Sequence, residues 1–313
     1  MKPTSIIFIV LSLILIVTGY VGCEIATSMA DSEGVSLYNE QTDEDGNRIN
    51  TLYYNSTGYD RLELNISDAT IYLCQGEEEK VVLKNFTEGS FTIMESGVSY
   101  IISDNISAVD MITSGNFNLT FKGLRHYWHD REILSKDKEV YVYAKDATVL
   151  NSIDLQLVHG KVVVENFKCE YDVMADVTDG EVLIKNSSAA AFNVSGNKCD
   201  LTTEATNTAR FHTSIANGKI VMKSTDVTSL SKLAITNEGS VDISLDGARE
   251  DYIITAYASK HITLNGKKYD LAYPPENEDG EVIEDEDSSS GEATGTKTLD
   301  VAVTSGTVTI KTN

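Results

Sequence analysis

The chain has 313 residues and a formal net charge of -23, from 25 basic against 48 acidic side chains. That charge excludes nucleic acid as a partner, because phosphate binding needs clustered Lys and Arg, and it is equally wrong for docking on anionic lipid. The length allows one large all-β domain or two smaller ones, with ample chain to bury a core.

The first predicted element is apolar. Met1 to Ser5 is short and carries Lys2, Ile6 to Val17 is almost continuously apolar, and Thr18-Gly19-Tyr20-Val21-Gly22-Cys23 follows. Three readings compete, in this order. A retained membrane helix fits Ile6 to Ile25, near the roughly 20 residues a bilayer needs. A lipoprotein signal would lipidate Cys23, which Gly22 suits and Tyr20 does not. A cleaved signal peptide fits the basic start and short apolar core. All three export the remainder, since Lys2 precedes the apolar run and Glu24, Asp31 and Glu33 follow it. The expectation is one N-terminal span over residues 1–25 in the cell membrane, with the body extracytoplasmic. Residues 26–57 read as a polar stalk, with Asp43-Glu44-Asp45-Gly46 within it.

Strand patterning begins near residue 58. Leu62, Leu64 and Ile66 alternate with Glu63 and Asn65; Ile71 and Leu73 continue the alternation, and Val98 to Ser103 and Asn118 to Phe121 read similarly. Gly123 to Lys138 interrupts it, as a short helix or a covering loop, and Val140 to Tyr143 resumes it. A phrase then recurs: a turn residue, Gly, a charged or small residue, and alternating β-branched residues. It reads His159-Gly160-Lys161-Val162-Val163-Val164, Asp179-Gly180-Glu181-Val182-Leu183-Ile184, Asn217-Gly218-Lys219-Ile220-Val221-Met222, Glu238-Gly239-Ser240-Val241-Asp242-Ile243 and Ser305-Gly306-Thr307-Val308-Thr309-Ile310. The first four glycines are 20, 38 and 21 residues apart, and 38 is close to two periods of 19. Such a period, with no helical pattern, predicts stacked strands in an all-β, β-solenoid or β-helix-like domain over 58–313. Val162, Val164, Val182, Ile184, Ile220 and Met222 should form one apolar column, with Leu183 pointing oppositely. At about 274–297, Pro274-Pro275 opens an acidic, Ser-rich insert too polar to order itself, after which the strand phrase resumes.

Together, Leu62-Glu63-Leu64-Asn65-Ile66 through Ile71-Tyr72-Leu73, the Gly-x-Val-x-Ile phrases, and Ile262-Thr263-Leu264-Asn265-Gly266-Lys267-Lys268-Tyr269 resemble the bacterial putative-adhesin family of β-strand-repeat proteins, a domain of unknown function. The resemblance covers about residues 58–313. It implies a β-solenoid-like fold, tethering by one N-terminal span and a surface location. It brings no catalytic, cofactor or metal residues.

The residues offer little chemistry of their own. His126, His129, Asp130 and Glu132 form a tight cluster of metal-capable side chains, but Arg125 and Arg131 sit inside it and the surface reading is preferred. His159, His212 and His261 read as turn or face residues. Asp43-Glu44-Asp45-Gly46 and Glu278-Asp279-Gly280 resemble EF-hand fragments, but Gln41 and Pro275 occupy the first ligand positions. Walker, GxSxG and GxGxxG motifs are missing. A glycosidase or lyase would need carboxylates converging beside basic partners. The arginines, Arg48, Arg61, Arg125, Arg131, Arg210 and Arg249, are spread along the chain. Cys74, Cys169 and Cys199 form no CxxC pair, so their pairing stays open. The sequons at Asn55, Asn65, Asn85, Asn105, Asn118, Asn186 and Asn193 read as turn and ladder residues in a bacterial protein. Tyr53, Tyr54, Tyr141 and Tyr143 could stack on sugars, or simply favour strands. The expected role is a non-catalytic surface interaction or structural one, adhesin-like or envelope-stress related, with no cofactor and an unknown surface protein or glycan as partner. The alternatives are a carbohydrate-active enzyme on a β-helix scaffold and a sensor subunit of an envelope regulatory system.

Overall fold

The computed structural model describes Thr18 and residues 41–86, 90–104, 136–145, 150–274 and 297–312. The expected membrane helix, the insert beyond Pro274, the His126 cluster and Glu278-Asp279-Gly280 lie outside these residues. The described chain is nearly all β. Its strands are β1 (Gln41–Thr42), β2 (Arg48–Tyr53), β3 (Arg61–Gln75), β4 (Lys80–Lys84), β5 (Thr92–Ser96), β6 (Ser99–Ser103), β7 (Glu139–Ala144) and β8 (Ser152–Glu165). They continue as β9 (Asp172–Lys185), β10 (Ser188–Glu204), β11 (Asn207–Leu245), β12 (Tyr252–Ala258), β13 (His261–Leu264), β14 (Lys267–Tyr269), β15 (Ala272–Tyr273) and β16 (Lys297–Thr312), with a 3-10 turn at Arg249–Asp251. Among the described residues no helix is long and apolar enough to cross a membrane.

Contacts divide the chain into two units, residues 1–50, 84–89 and 106–136, and residues 51–83, 90–105 and 137–313. In the described part of the first, Gln41 and Thr42 of β1 pair antiparallel with Ile49 and Arg48. The turn between them is the acidic run. The Asp43 carboxylate accepts from the backbone N–H groups of Asp45 (3.1 Å) and Asn47 (2.7 Å) and from the Asn47 amide (2.9 Å), and Lys84 Nζ lies 3.6 Å away. Gly46 takes the left-handed φ of 71° that closes this turn.

The second unit is built from long parallel strands in the order β3-β8-β9-β10-β11-β16, and its sheet is not closed. Ser152 pairs with Asp172, Asp172 with Ala191, and Ala191 with Arg210, so each strand repeats its predecessor 20, 19 and 19 residues later. β3, β8, β9, β10 and β16 each have two buried legs around a corner, and the 39-residue β11 holds two such pairs of legs in succession, with Gly239 stacked on Gly218. In β8, Ile153, Leu155 and Leu157 are buried before the corner at His159-Gly160, and Val162 and Val164 after it. At the two ends of the stack, shorter strands replace a long one. β6 and β7 pair with the two legs of β3, and β12 and β13 with those of β16.

Backbone approach explains the glycines. A Cβ on Gly160 would lie 2.0 Å from the Ala69 carbonyl oxygen, and one on Gly180 1.9 Å from that of Gly160. The same collision recurs at Gly218, Gly239 and Gly306. The 38-residue gap between Gly180 and Gly218 holds one further strand, β10, with Cys199 paired to Gly180. In that strand the close approach moves to Gly196, against the Val177 carbonyl.

The predicted apolar column is present. Val162 pairs with Val182, Val182 with Leu201 and Leu201 with Ile220; Val164, Ile184, Thr203 and Met222 run beside them, and all eight are buried. Leu183 is half-buried on the opposite face. The polar member, Thr203, is satisfied by Thr225 at 2.8 Å between hydroxyls. The second legs of β8, β9 and β10 and the corresponding leg in the first half of β11 end at left-handed residues, Asn166, Asn186, Ala205 and Ser224, with φ between 46° and 54°. The next position in the last three is a buried hydroxyl, Ser187, Thr206 or Thr225, which bonds backbone carbonyls.

Candidate functional site

The outward residues of the first legs, which alternate with the core residues, stack into two rows across β8, β9, β10 and β11. One is Asp154, Met174, Asn193 and His212; the other is Gln156, Asp176, Ser195 and Ser214. These side chains line a concavity of about 330 Å³. Neighbouring strands lie about 4.8 Å apart, so three steps make each row about 14 Å long.

Asp154 is the most enclosed member, 8% exposed. Arg61 Nε stands 3.3 Å from its Oδ2, while Oδ1 is buried with no hydrogen-bond partner. Burial holds its carboxyl above the usual carboxylate range and Glu63 adds to this, while Arg61 and the Ser152 hydroxyl oppose it. At the other end of the row His212 Nε2 is also buried and unpartnered. Asp176, Gln156 and Ser214 are exposed. On the margin, Arg210 Nη2 pairs with Asp172 Oδ1 at 3.4 Å. Thus Asp154, Asp176, Arg61 and His212, which sequence spacing scatters, meet on one face. The signal that could have found them is the 19–20-residue offset applied to outward rather than inward positions.

A second outward surface carries tyrosines. Tyr72 and Tyr141 stack with ring centroids 4.8 Å apart and 11° between planes, and Tyr143 stacks on Tyr141 at 6.4 Å. Burial, and the Glu139 carboxylate bonded to the hydroxyl, push the Tyr141 phenol well above its ordinary range. Tyr54 is buried and donates its hydroxyl to the Tyr143 carbonyl at 2.9 Å, whereas Tyr53 is exposed.

The other candidate residues fall elsewhere. His159 sits exposed at a corner and His261 begins β13. Asp43 is consumed by its own turn, and hydrogen bonds from Asn47 hold its carboxyl below the usual range. Cys74, Cys169 and Cys199 are free thiols, the last two pushed up by burial to about 12. Asn85 and Asn186 occupy left-handed corners, and Asn193 lines the groove. No three His, Cys, Asp or Glu side chains come together among the described residues as a metal ion would need.

No family model matches the chain, and no curated protein matches it. Three solved structures show likeness. A putative cell adhesion protein from Clostridium sporogenes is 12% identical with a TM-score of 0.27, over 85% of this chain and 100% of that one. A putative adhesin from Bacteroides fragilis is 11% identical with a TM-score of 0.39, over 85% and 97%. A putative adhesin from Parabacteroides distasonis is 9% identical with a TM-score of 0.38, over 85% and 97%. These scores are below the level at which a shared topology follows.

Proposed function

We propose that the chain is a membrane-anchored, extracytoplasmic β-solenoid protein with a non-catalytic, adhesin-like interaction role. The observation that carries this reading is the groove. Four parallel strands hold two rows of side chains, polar except for Met174, at fixed spacing over a packed core, which is a surface arranged for recognition. The apolar run Ile6 to Ile25 supports a retained anchor, and the acidic residues after it support an outward body. The solenoid reading rests on the 19–20-residue offset and on the column of close glycine approaches.

A second reading, a carbohydrate-active enzyme, is favoured by one observation: Asp154 and Asp176 sit diagonally on adjacent strands, one buried and one exposed. Arg61 beside Asp154 is the basic partner such an enzyme would need, and burial holds the Asp154 carboxyl up as a proton donor requires, while the guanidinium opposes this by favouring the ionised form.

The test is fractionation of bacteria expressing the full chain. Release should require detergent, the intact mass should start at residue 1 or 2, and protease added to whole cells or spheroplasts should cut the body. A mass starting after Cys23, a lipidated Cys23, or a protected body would refute the reading.

A further inference from the structure

We infer that the groove across β8, β9, β10 and β11 binds a neutral, hydroxyl-rich chain, an oligosaccharide, laid along the stacking direction of the strands. The inference rests on the surface-binding role proposed above and gives that role its ligand class.

Four observations converge. First, each row offers one side chain per strand, every ~4.8 Å, which is close to the advance per ring of an extended glycan. Second, the donors suit vicinal hydroxyls. Asn193 and Gln156 donate and accept through planar amides, Ser195 and Ser214 through hydroxyls, and Asp154 and Asp176 accept through carboxylates. Met174 offers an adaptable apolar patch for the C–H face of a ring. Third, two buried polar atoms in one row lack partners. Asp154 Oδ1, on a residue 8% exposed, is an acceptor, and His212 Nε2 is a donor or acceptor according to its tautomer. Buried atoms of this kind are uncommon and unfavourable, and a turn of either side chain toward the groove would let ligand hydroxyls satisfy them.

Fourth, charge selects the ligand. Two carboxylates in the groove of a chain of charge -23 repel uronates and phosphates. The described residues also gather no three metal-capable side chains that would make a cation the occupant. The volume of about 330 Å³ is at the lower end of ligand pockets, roughly 300–1,000 Å³, as befits an open groove that grips part of a longer chain.

The test titrates detergent-solubilised full chain with cellohexaose, xylohexaose, mannohexaose and, as the anionic counterpart, hexagalacturonate, by calorimetry and saturation-transfer NMR. At least one neutral hexasaccharide should bind and hexagalacturonate should not. Ser195→Trp, which fills the groove from an outward position, should weaken binding by at least about tenfold at an unchanged melting temperature. Asn193→Leu should weaken it too, and Lys219→Ala, outside the groove, should not. Binding of none of the neutral probes, equal binding of hexagalacturonate, or binding that survives Ser195→Trp would overturn the inference. Cells that display the chain and adhere equally well with Ser195→Trp would overturn the glycan groove while leaving the surface role intact. Cleavage of a bound hexasaccharide would keep the groove and overturn the non-catalytic role.

Discussion

Gly180→Ala is the sharpest perturbation of the stack. The new Cβ would meet the Gly160 carbonyl oxygen at 1.9 Å, and Gly160 is itself the Cα partner of Gly180. Real Cβ contacts begin near 3.0 Å, so the two backbones must separate by about 1 Å at a point where they are ladder-paired on both sides. Overpacking of that kind costs about 1–3 kcal/mol, and weakening two flanking ladder bonds adds about 1 kcal/mol each. The sum is about 3–5 kcal/mol. Two controls separate the collision from the loss of glycine as such. Gly97 has a φ of 60° with nothing near its would-be Cβ, so Gly97→Ala should cost about 1 kcal/mol, purely conformational. Gly58 would meet only the Asn55 carbonyl at 3.5 Å, so Gly58→Ala should be within about 0.5 kcal/mol of the parent. Urea titration followed by far-ultraviolet circular dichroism gives each difference from the midpoint at constant slope. If Gly180→Ala and Gly58→Ala unfold at the same midpoint, the close stacking of these strands is wrong.

Four further outcomes follow from the same geometry. Ile184→Asp places an unpaired carboxylate in the apolar column and should cost several kcal/mol, whereas Lys185→Asp, on the outward side beside Glu204 at 3.5 Å, should cost under about 1 kcal/mol; equal thermal melts would contradict the register. Ala205 is exposed with a left-handed φ of 49°, so Ala205→Gly should raise stability by about 0.5–1 kcal/mol, and a lower midpoint would refute the corner conformation. Thr203→Val strips Thr225 of its buried hydroxyl partner and should cost about 1–2 kcal/mol, with the Thr203→Val/Thr225→Val double variant recovering most of it; additive losses in a double-mutant cycle would exclude the pair. The Asp154 carboxyl is raised above its ordinary 3.8 in the folded chain, so it binds its proton more tightly folded than unfolded. Its contribution is therefore fully present below about pH 4 and lost as pH rises through the folded value, so Asp154→Asn should flatten that part of the decline in the urea midpoint, and parallel curves would exclude it.

Much of the architecture can be read from the residues because it rests on local constraints. The Gly-x-Val-x-Ile phrase is a close backbone approach followed by an inward pair, and both halves are visible in His159 to Val164 and Asp179 to Ile184. The 38-residue gap points to a hidden strand, yet β10 conceals its phrase because Gly196 stands three residues ahead of Cys199 and Thr203 replaces the apolar residue. The corners show a second signal, Lys185-Asn186-Ser187, Glu204-Ala205-Thr206 and Lys223-Ser224-Thr225, in which a left-handed residue precedes a hydroxyl. Its meaning appears only when the hydroxyls are seen to bond carbonyls at the ends of the legs. The groove is not legible in the same way. Asp154 and His212 are 58 residues apart, and only the register through Met174 and Asn193 aligns them. Alternation says which residues face outward, but not which strands are neighbours.

The register that builds the groove can be measured directly. In a chain with its native cysteines replaced by alanine, Gln156→Cys and Asp176→Cys are Cα partners on adjacent strands, at about the 4.8 Å strand spacing that a disulfide spans. Gln156→Cys and Ser195→Cys are two strands apart, since Asp176 pairs with Ser195, at about 9.6 Å, beyond bridging distance. Mild oxidation should link the first pair within one molecule, read as a 2-Da loss of mass and a linked peptide pair, and leave the second pair reduced. Linkage of the second pair, or of neither, would contradict the stacked register and with it the groove.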